Sequence, residues 1–294
     1  MRAFGSGVGH AGQSNWSSSL YQSNIARGSR GSALLIIDPQ NDFHPGGSLA
    51  IPTANDDAKK IRDLITANID SLEHIYVTLD THQRYHIAHS LFWMNKHNEH
   101  PEPFTTITKE SVESGEWRAT RKEHQSWALT YVSALSKHGN FVLTIWPDHC
   151  LLGSKGHNVS PIIEAALAEW ELKHSKSVSY IIKGNNSLTE HYSAIKAEVL
   201  VASDKNTDTN LKFVNELKKH RSILVCGQAS SHCVNFTVRD IVDNWGPFND
   251  LAKISILQDA MSPVTGFEEA ERKFFRDMNA KGLTMSKSTS IKLK

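Results

Sequence analysis

The chain has 294 residues, of which 39% are hydrophobic, and this is enough for one large α/β domain with additions or for two modest domains. Its 32 Lys and Arg residues nearly balance its 31 Asp and Glu residues, so no net charge attracts nucleic acid or an anionic membrane, and we expect a small neutral partner. The sequence has no apolar run of about 18 residues and no apolar core of a signal peptide. We therefore expect a cytoplasmic protein without a membrane partner.

Apolar segments alternate with helical patterns over most of the chain. Residues 1–30 are rich in Gly, Ser and Asn, so we expect a flexible N-terminal extension, followed by a single domain over residues 31–294. The predicted strands cover residues 33–37, 75–79, 180–182, 222–226 and 254–257, and the predicted helices cover residues 61–69, 161–170, 211–217, 233–245 and 270–278. This alternation predicts an α/β fold with a doubly wound, mostly parallel β-sheet and helices on both faces, in which ligands bind at the carboxyl ends of the strands.

Residues 94–140 interrupt this alternation. They are polar, rich in His and Glu, and contain Trp117, Trp127 and Tyr131, so we expect an insertion with one helix. Such an insertion could cap a site or make a subunit contact. The sequence therefore leaves a homo-oligomer open.

A cysteine lies at the turn between a predicted strand and a predicted helix. Cys233 follows the segment GQASSH at residues 227–232, and a helical pattern begins directly after it. Free N–H groups and the dipole at a helix N-terminus favour the thiolate, so we expect a lowered pKa for the Cys233 thiol, and the same N–H groups could hold an oxyanion. A free cysteine is also commonly a buried packing residue, which is the role we expect for Cys150.

Two charged residues end other predicted strands. Asp38 follows four aliphatic residues, where partial desolvation raises the pKa of a carboxyl group and suits it to exchange a proton with a thiol. Lys183 ends the segment YIIK. Each residue also has a common structural role. Asp38 could cap a loop, and Lys183 could cover apolar surface with its side-chain stem while its charge stays in water. Because the carboxyl ends of parallel strands meet at one edge, we expect Asp38, Lys183 and Cys233 to converge on one crevice.

A group of histidines indicates a metal site. Asp80 and His82 follow the predicted strand at residues 75–79, with His86 and His89 further along the chain. In an extended Asp-x-His turn both side chains can reach the same side, so the two residues could share one ion. Loops rich in histidine are also commonly just solvated, and that alternative stays open at this point.

A second segment supports the metal site. The sequence WPDHC begins with Trp146, contains His149 and follows the apolar residues 141–145. His149 could supply a third ligand, and Trp146 an aromatic wall. Because the donors are nitrogen and oxygen without a thiolate, zinc is the first expectation, and iron and manganese stay open.

Together these motifs resemble those of the isochorismatase-like cysteine hydrolases, and within them those of the nicotinamidases. The resemblance covers about residues 33–265 and is carried by DPQNDF (38–43) with GGSL (46–49), DTH (80–82), WPDHC (146–150), KG (183–184) with TEHYS (189–193), and the turn GQASSHCV (227–234). DTH and WPDHC are similar to the metal motif of the nicotinamidase branch, which isochorismatases proper do not share. The resemblance implies a Rossmann-like three-layer α/β/α fold.

The resemblance also implies a catalytic triad. In it Cys233 is the nucleophile, Asp38 accepts and later donates the proton, and Lys183 is the cation that polarises both. The backbone N–H groups of Cys233 and Ala229 would hold the oxyanion, and the peptide bond before Ser230 would be cis.

Further positions are implied for the metal and the substrate ring. The implied ligands are those of the histidine motifs, namely Asp80, His82 and His149, with His86 as the fourth. The metal would bind the pyridine nitrogen of nicotinamide and orient the ring. Phe43 and Trp146 match positions that enclose the ring in relatives.

We therefore expect an amidohydrolase that converts a small amide to a carboxylic acid and ammonia through a thioester, with nicotinamide as the first substrate. A related amidase acting on a carbamoyl or ureido compound is the main alternative, and an arginine in the pocket, such as Arg84 or Arg239, would favour it. Two further alternatives are a metal centre whose bound water is the nucleophile and a binding protein without catalysis.

Overall fold

The computed structural model describes residues 31–138, 142–246 and 250–293, so the extension predicted for residues 1–30 lies outside the described residues. Numbered in chain order, its strands are β1 (Ser32–Ile37), β2 (Leu72–Asp80), β3 (Trp93–Met94), β4 (Thr106–Ile107), β5 (Arg118–Ala119), β6 (Leu143–Thr144), β7 (Ser179–Lys183), β8 (Ser222–Gly227), β9 (Ile254–Leu257) and β10 (Thr284–Ser286). Its α-helices are α1 (Ala54–Ala67), α2 (Lys109–Glu113), α3 (Gln125–His138), α4 (Pro161–His174), α5 (Leu211–Leu217), α6 (Cys233–Asp243) and α7 (Glu268–Ala280).

Within the described ranges, six strands form one sheet in the order β10-β9-β8-β1-β2-β7, and every pair of neighbours is parallel. This confirms the predicted doubly wound α/β fold, and all five predicted strands belong to the sheet. The sequence does not predict β10, whose three residues place one apolar side chain between Thr284 and Ser286. This strand exists because it pairs with β9, and no local apolar run marks it.

Strand β1 is buried on both faces, which explains its continuous apolar sequence. Leu34 and Ile36 pack in the layer of α1 and α4, whereas Leu35 and Ile37 pack in the layer of α5, α6 and α7. All four side chains are fully buried. A parallel sheet that is covered by helices on both faces requires such a run in place of the alternation of a half-exposed strand.

Helix α4 shows how the sequence sets one of these helices. Pro161 occupies its first turn and Ser160 stands at the N-cap as predicted, although the Ser160 side chain makes no capping hydrogen bond. Ile163, Leu167 and Trp170 recur at helical spacing and are buried against the sheet. Among the helices of the described segments, none combines the length and the apolar character that crossing a membrane would need.

The order of connection reverses beside β1. The chain passes from β1 to β2 and then to β7 on one side, returns to β8 on the other side of β1, and continues to β9 and β10. Helix α1, which follows β1, and helix α6, which follows β8, cover opposite faces of the sheet. The loops after β1 and β8 therefore diverge and open a crevice at the carboxyl edge.

The described residues 94–138 of the predicted insertion contain two α-helices, so the prediction of one helix is wrong. Helix α2 has five residues and is too short to show a helical period in the sequence, but a reciprocal capping box between Thr108 and Ser111 stabilises its start. Helix α3 lies against the segment after β7. The Trp127 indole donates to the Leu188 carbonyl at 2.6 Å, and the Tyr131 hydroxyl accepts from the Glu190 N–H at 3.2 Å. The insertion thus covers the loop that follows Lys183.

Candidate active site

The Lys183 ammonium lies at the centre of a buried charged group at the carboxyl edge of the sheet. Its Nζ atom is 2.9 Å from Asp38 Oδ2, 3.0 Å from Asp80 Oδ1 and 3.5 Å from Cys233 Sγ. The four residues come from the ends of β7, β1 and β2 and from the first position of α6, which follows β8. Asp38, Lys183 and Cys233, separated along the chain, are thus brought within contact distance as the sequence predicts.

Asp38 is held by its own main chain and by the neighbouring strand. Its φ angle is +43°, and its backbone N–H donates to the Thr78 carbonyl at 3.2 Å. The Thr78 hydroxyl donates to Asp38 Oδ1. These contacts fix the carboxyl group so that its other oxygen faces Lys183.

Asp80 and Lys183 are fixed in a similar way. Gln40 exchanges two hydrogen bonds of 2.7 Å with the main chain of Asp80, accepting from its N–H and donating to its carbonyl. Lys183 Nζ donates to the His191 carbonyl at 2.9 Å. Gln40 belongs to the DPQNDF motif, but the motif alone does not predict this positioning role, because its partner Asp80 is on another strand.

The charge state of the cysteine differs from the expected one. Burial raises the pKa of the Cys233 thiol well above its ordinary value; the Lys183 charge opposes this, and the Asp38 and Asp80 carboxylates add to the rise. The prediction of a lowered pKa is therefore wrong, because it considered the helix N-terminus alone. In the resting state Cys233 is therefore a thiol, with the Lys183 ammonium 3.5 Å from its sulfur.

The two partners of the thiol hold opposite charges. Burial raises the pKa of the Asp38 carboxyl above its ordinary value despite the Lys183 charge beside it, which makes Asp38 a better proton acceptor when ionised. Burial would lower the pKa of Lys183, but the Asp38 and Asp80 charges raise it well above its ordinary value. Lys183 therefore stays charged.

Two backbone N–H groups at the turn before Cys233 are left without an acceptor in the described structure. Within the described residues, the backbone N–H groups of Ala229 and Cys233 have no hydrogen-bond acceptor, whereas the Ser230 N–H donates to the Ser262 carbonyl at 2.9 Å. The cis peptide bond lies between Gln228 and Ala229. The expectation of a cis bond directly before Ser230 is thus wrong by one residue.

The Asp80 carboxylate connects the charged group to two imidazoles. Asp80 Oδ1 is 3.5 Å from His82 Nε2, and Asp80 Oδ2 is 3.4 Å from His149 Nε2. Burial would raise the pKa of Asp80, but the charges of His82 and Lys183 lower it well below its ordinary value, so the carboxylate is ionised. The three predicted ligands Asp80, His82 and His149 are therefore close enough to share one ion.

Three more donors surround His82. Ring nitrogens of His82, His89 and His149 lie within 4.8 Å of one another, and so do donor atoms of His82, His86 and Glu190. His82 Nδ1, both ring nitrogens of His89 and Glu190 Oε2 are buried without a hydrogen-bond partner in the described structure. Buried unpartnered nitrogen and oxygen donors of this kind fit a divalent metal. The sequence missed Glu190, which stands in the TEHYS motif, because only the fold brings it to His82.

Phe43 contacts one of the imidazoles, and Trp146 contacts the residue before Cys233. The Phe43 ring contacts the His149 ring edge-on at 5.6 Å between centroids. The Trp146 ring contacts the ring of His232, the residue before Cys233, at 5.3 Å, and its indole N–H donates to the Tyr192 hydroxyl at 3.1 Å. Both predicted aromatic residues are buried and belong to one apolar cluster.

The chain is similar in sequence and structure to several nicotinamidases and pyrazinamidases. A nicotinamidase of Escherichia coli K12 is 24% identical over 256 residues, which are 86% of this chain and 93% of that protein. A nicotinamidase and pyrazinamidase of Acinetobacter baumanii superposes with a TM-score of 0.60 at 22% identity, covering 89% of this chain and 98% of that one. A pyrazinamidase of Pyrococcus horikoshii in complex with zinc superposes with a TM-score of 0.53 at 18% identity. The match covers 87% of this chain and 99% of that one. No protein-family profile matches the chain.

Proposed function

We propose that this chain, which belongs to the isochorismatase-like cysteine hydrolases in their nicotinamidase branch, hydrolyses nicotinamide to nicotinate and ammonia. The observation that carries the proposal is the contact of one ammonium, Lys183, with both the Cys233 thiol and the Asp38 carboxylate. The surroundings of the arginines do not favour a carbamoyl or ureido substrate. Arg84 is 65% exposed and pairs with Asp148, and Arg239 pairs with Asp277.

The reaction would proceed by covalent catalysis. Asp38 accepts the proton of the Cys233 thiol as the sulfur attacks the amide carbon, and Lys183 stabilises the thiolate that forms. The N–H groups of Ala229 and Cys233 donate to the oxyanion. Asp38 then returns the proton to the departing ammonia, which leaves a thioester. In the second half Asp38 takes a proton from water as the water oxygen attacks the thioester carbon. The C–S bond then breaks, the carboxylic acid is released, and Asp38 returns the proton to the Cys233 sulfur, which restores the thiol.

A zinc ion held by Asp80, His82 and His149 is the cofactor we propose, with His86 predicted as a fourth ligand. Bound there, the metal would take up the pyridine nitrogen and orient the ring. The nitrogen and oxygen donors of the cluster support zinc, and the zinc complex of the Pyrococcus horikoshii pyrazinamidase is consistent with it. Phe43 and Trp146 would enclose the ring, so the amide carbon is presented to Cys233.

Nicotinamide should be hydrolysed with a kcat/KM about 100-fold higher than benzamide, which has the same amide but no ring nitrogen, since a site built for a polar contact rejects an analogue that lacks it. Ammonia release from a set of small amides, measured with and without a chelator, checks this. Chelation should abolish the difference between the two substrates. Equal rates for both in the metal-loaded enzyme would contradict a role of the metal in substrate recognition.

Metal affinity should rise with pH up to about 8. Burial alone would lower the pKa of His82, but the charges of Asp80 and Glu190 and the hydrogen bond with Glu190 raise it from 6.5 to about 8. Because a metal binds the neutral imidazole, the ion must displace a proton below this pH. Titration of the metal-free protein with zinc at several pH values measures the effect, and an affinity that is constant between pH 6 and 8 would contradict it.

A further inference from the structure

We propose that His89, in place of His86, is the third imidazole that binds the metal, together with His82 and His149. The inference rests on the metal site of the proposed function and changes its ligand set. It also keeps Asp80 as the oxygen donor. The resulting site would have four protein ligands, of which three are imidazoles.

The surroundings of His89 leave its ring without a polar partner. The side chain is fully buried, and neither ring nitrogen makes a hydrogen bond within the described residues. A buried nitrogen that loses water without gaining a partner costs free energy, so structures rarely retain one without a reason. A metal ion at the neighbouring imidazoles would supply the missing partner.

The positions of the rings fit a shared ion. The ring centroid of His89 is 5.0 Å from that of His82 and 5.3 Å from that of His149, and the centroids of His82 and His149 are 4.6 Å apart. For a zinc–nitrogen bond of about 2.0–2.1 Å, tetrahedral geometry puts the centroids of bound imidazoles about 5 Å apart. The three rings therefore need little rearrangement to bind one ion.

His86 is occupied by the main chain. Its Nε2 contacts the Thr189 carbonyl at 3.1 Å, and its Nδ1 accepts from the Ala88 N–H at 3.2 Å. With Nε2 donating and Nδ1 accepting, both ring nitrogens are used, and binding a metal would break one of these hydrogen bonds. This separates His86 from His89, although both lie near His82.

A carboxylate is available to orient His89. Nδ1 of His89 is 3.8 Å from Asp148 Oδ1, which is longer than a hydrogen bond but close enough to become one. Histidines that bind metals usually donate their other N–H to a carboxylate or a carbonyl. We therefore assign Nε2 of His89 to the metal and Nδ1–H to Asp148.

The test compares metal binding by the full chain and three variants, His89→Phe, His89→Gln and His86→Phe. Phenylalanine keeps a buried ring at each position, so the two phenylalanine variants are matched controls for each other. Zinc affinity is measured by competition with a chromogenic chelator, and the cobalt-loaded proteins are compared by visible absorption, which reports the donor set. Thermal unfolding of each metal-free protein shows whether it is folded.

Both His89 variants should bind zinc more weakly by about 100-fold or more, because even losing a partner behind a ligand costs about 10- to 100-fold. Their cobalt spectra should change, while His86→Phe keeps the affinity within a few-fold and the spectrum of the unaltered protein. Unchanged affinity in folded His89 variants, a loss confined to His86→Phe, or no zinc binding by the unaltered protein would overturn the assignment. Ammonia release from nicotinamide by the unaltered protein is measured separately, so a failure of the proposed function leaves the metal comparison readable.

Discussion

Cys233→Ala should reduce ammonia release from nicotinamide by about 10⁴-fold or more, because removing a covalent nucleophile removes the route through the thioester. The sulfur lies 3.5 Å from Lys183 Nζ, which also contacts Asp38 at 2.9 Å, and we expect neither neighbour to replace it as a nucleophile. The metal ligands contact other atoms, so the metal content of the variant should equal that of the unaltered protein. Steady-state ammonia release and elemental analysis of the same samples test both statements.

Cys226→Ala is the matched control. Cys226 is also a fully buried cysteine, its Sγ atom faces the Leu35 carbonyl at 3.8 Å, and it belongs to the layer of α1 and α4, away from Lys183. Each variant loses one buried cysteine sulfur, but only Cys233→Ala should lose activity. Activity that survives in Cys233→Ala would favour a metal-bound water as the nucleophile, which is one of the alternatives that the sequence leaves open.

The sequence predicted those parts of the site that depend on local pattern and on one rule of parallel sheets. The run LLII before Asp38 identifies a strand buried on both faces, and similar runs end at Lys183 and precede the turn of Cys233. Because parallel strands direct their carboxyl ends to one edge, three strand ends were sufficient to predict a shared crevice.

The parts that the sequence did not predict depend on contacts between distant segments. The raised pKa of Cys233 follows from burial and from the carboxylates of Asp38 and Asp80 at the ends of two other strands, and neither cause shows in the segment around the cysteine. Glu190, in the loop after β7, contacts His82, in the loop after the neighbouring strand β2, and the Tyr131 hydroxyl of helix α3 accepts from the Glu190 N–H. No local period or motif carries such information.

Lys183→Met should destabilise the metal-free protein by about 3–5 kcal/mol, because it leaves buried carboxylates without their cation. Lys183 is the common partner of Asp38 at 2.9 Å and Asp80 at 3.0 Å, and all three side chains are buried. The exposed pair of Lys59 and Asp56 supplies the control, since Lys59→Met should leave the free energy of unfolding nearly unchanged. Urea unfolding of the metal-free proteins measures both changes.

The cost of Lys183→Met should also depend on pH, in a direction that the site fixes. Without the lysine charge, burial and the Asp80 charge both raise the folded-state pKa of Asp38 further above its unfolded value of 3.8. A group with a raised folded-state pKa stabilises the protein below its unfolded pKa, and this contribution is lost as the pH rises through the folded-state value. The stability difference between the unaltered protein and the variant should therefore be smallest in acid and should widen as the pH rises. A difference that stays constant would mean that the Lys183 charge does not hold these carboxylates in the folded state, and the assignment of Lys183 as the cation of the site would fail.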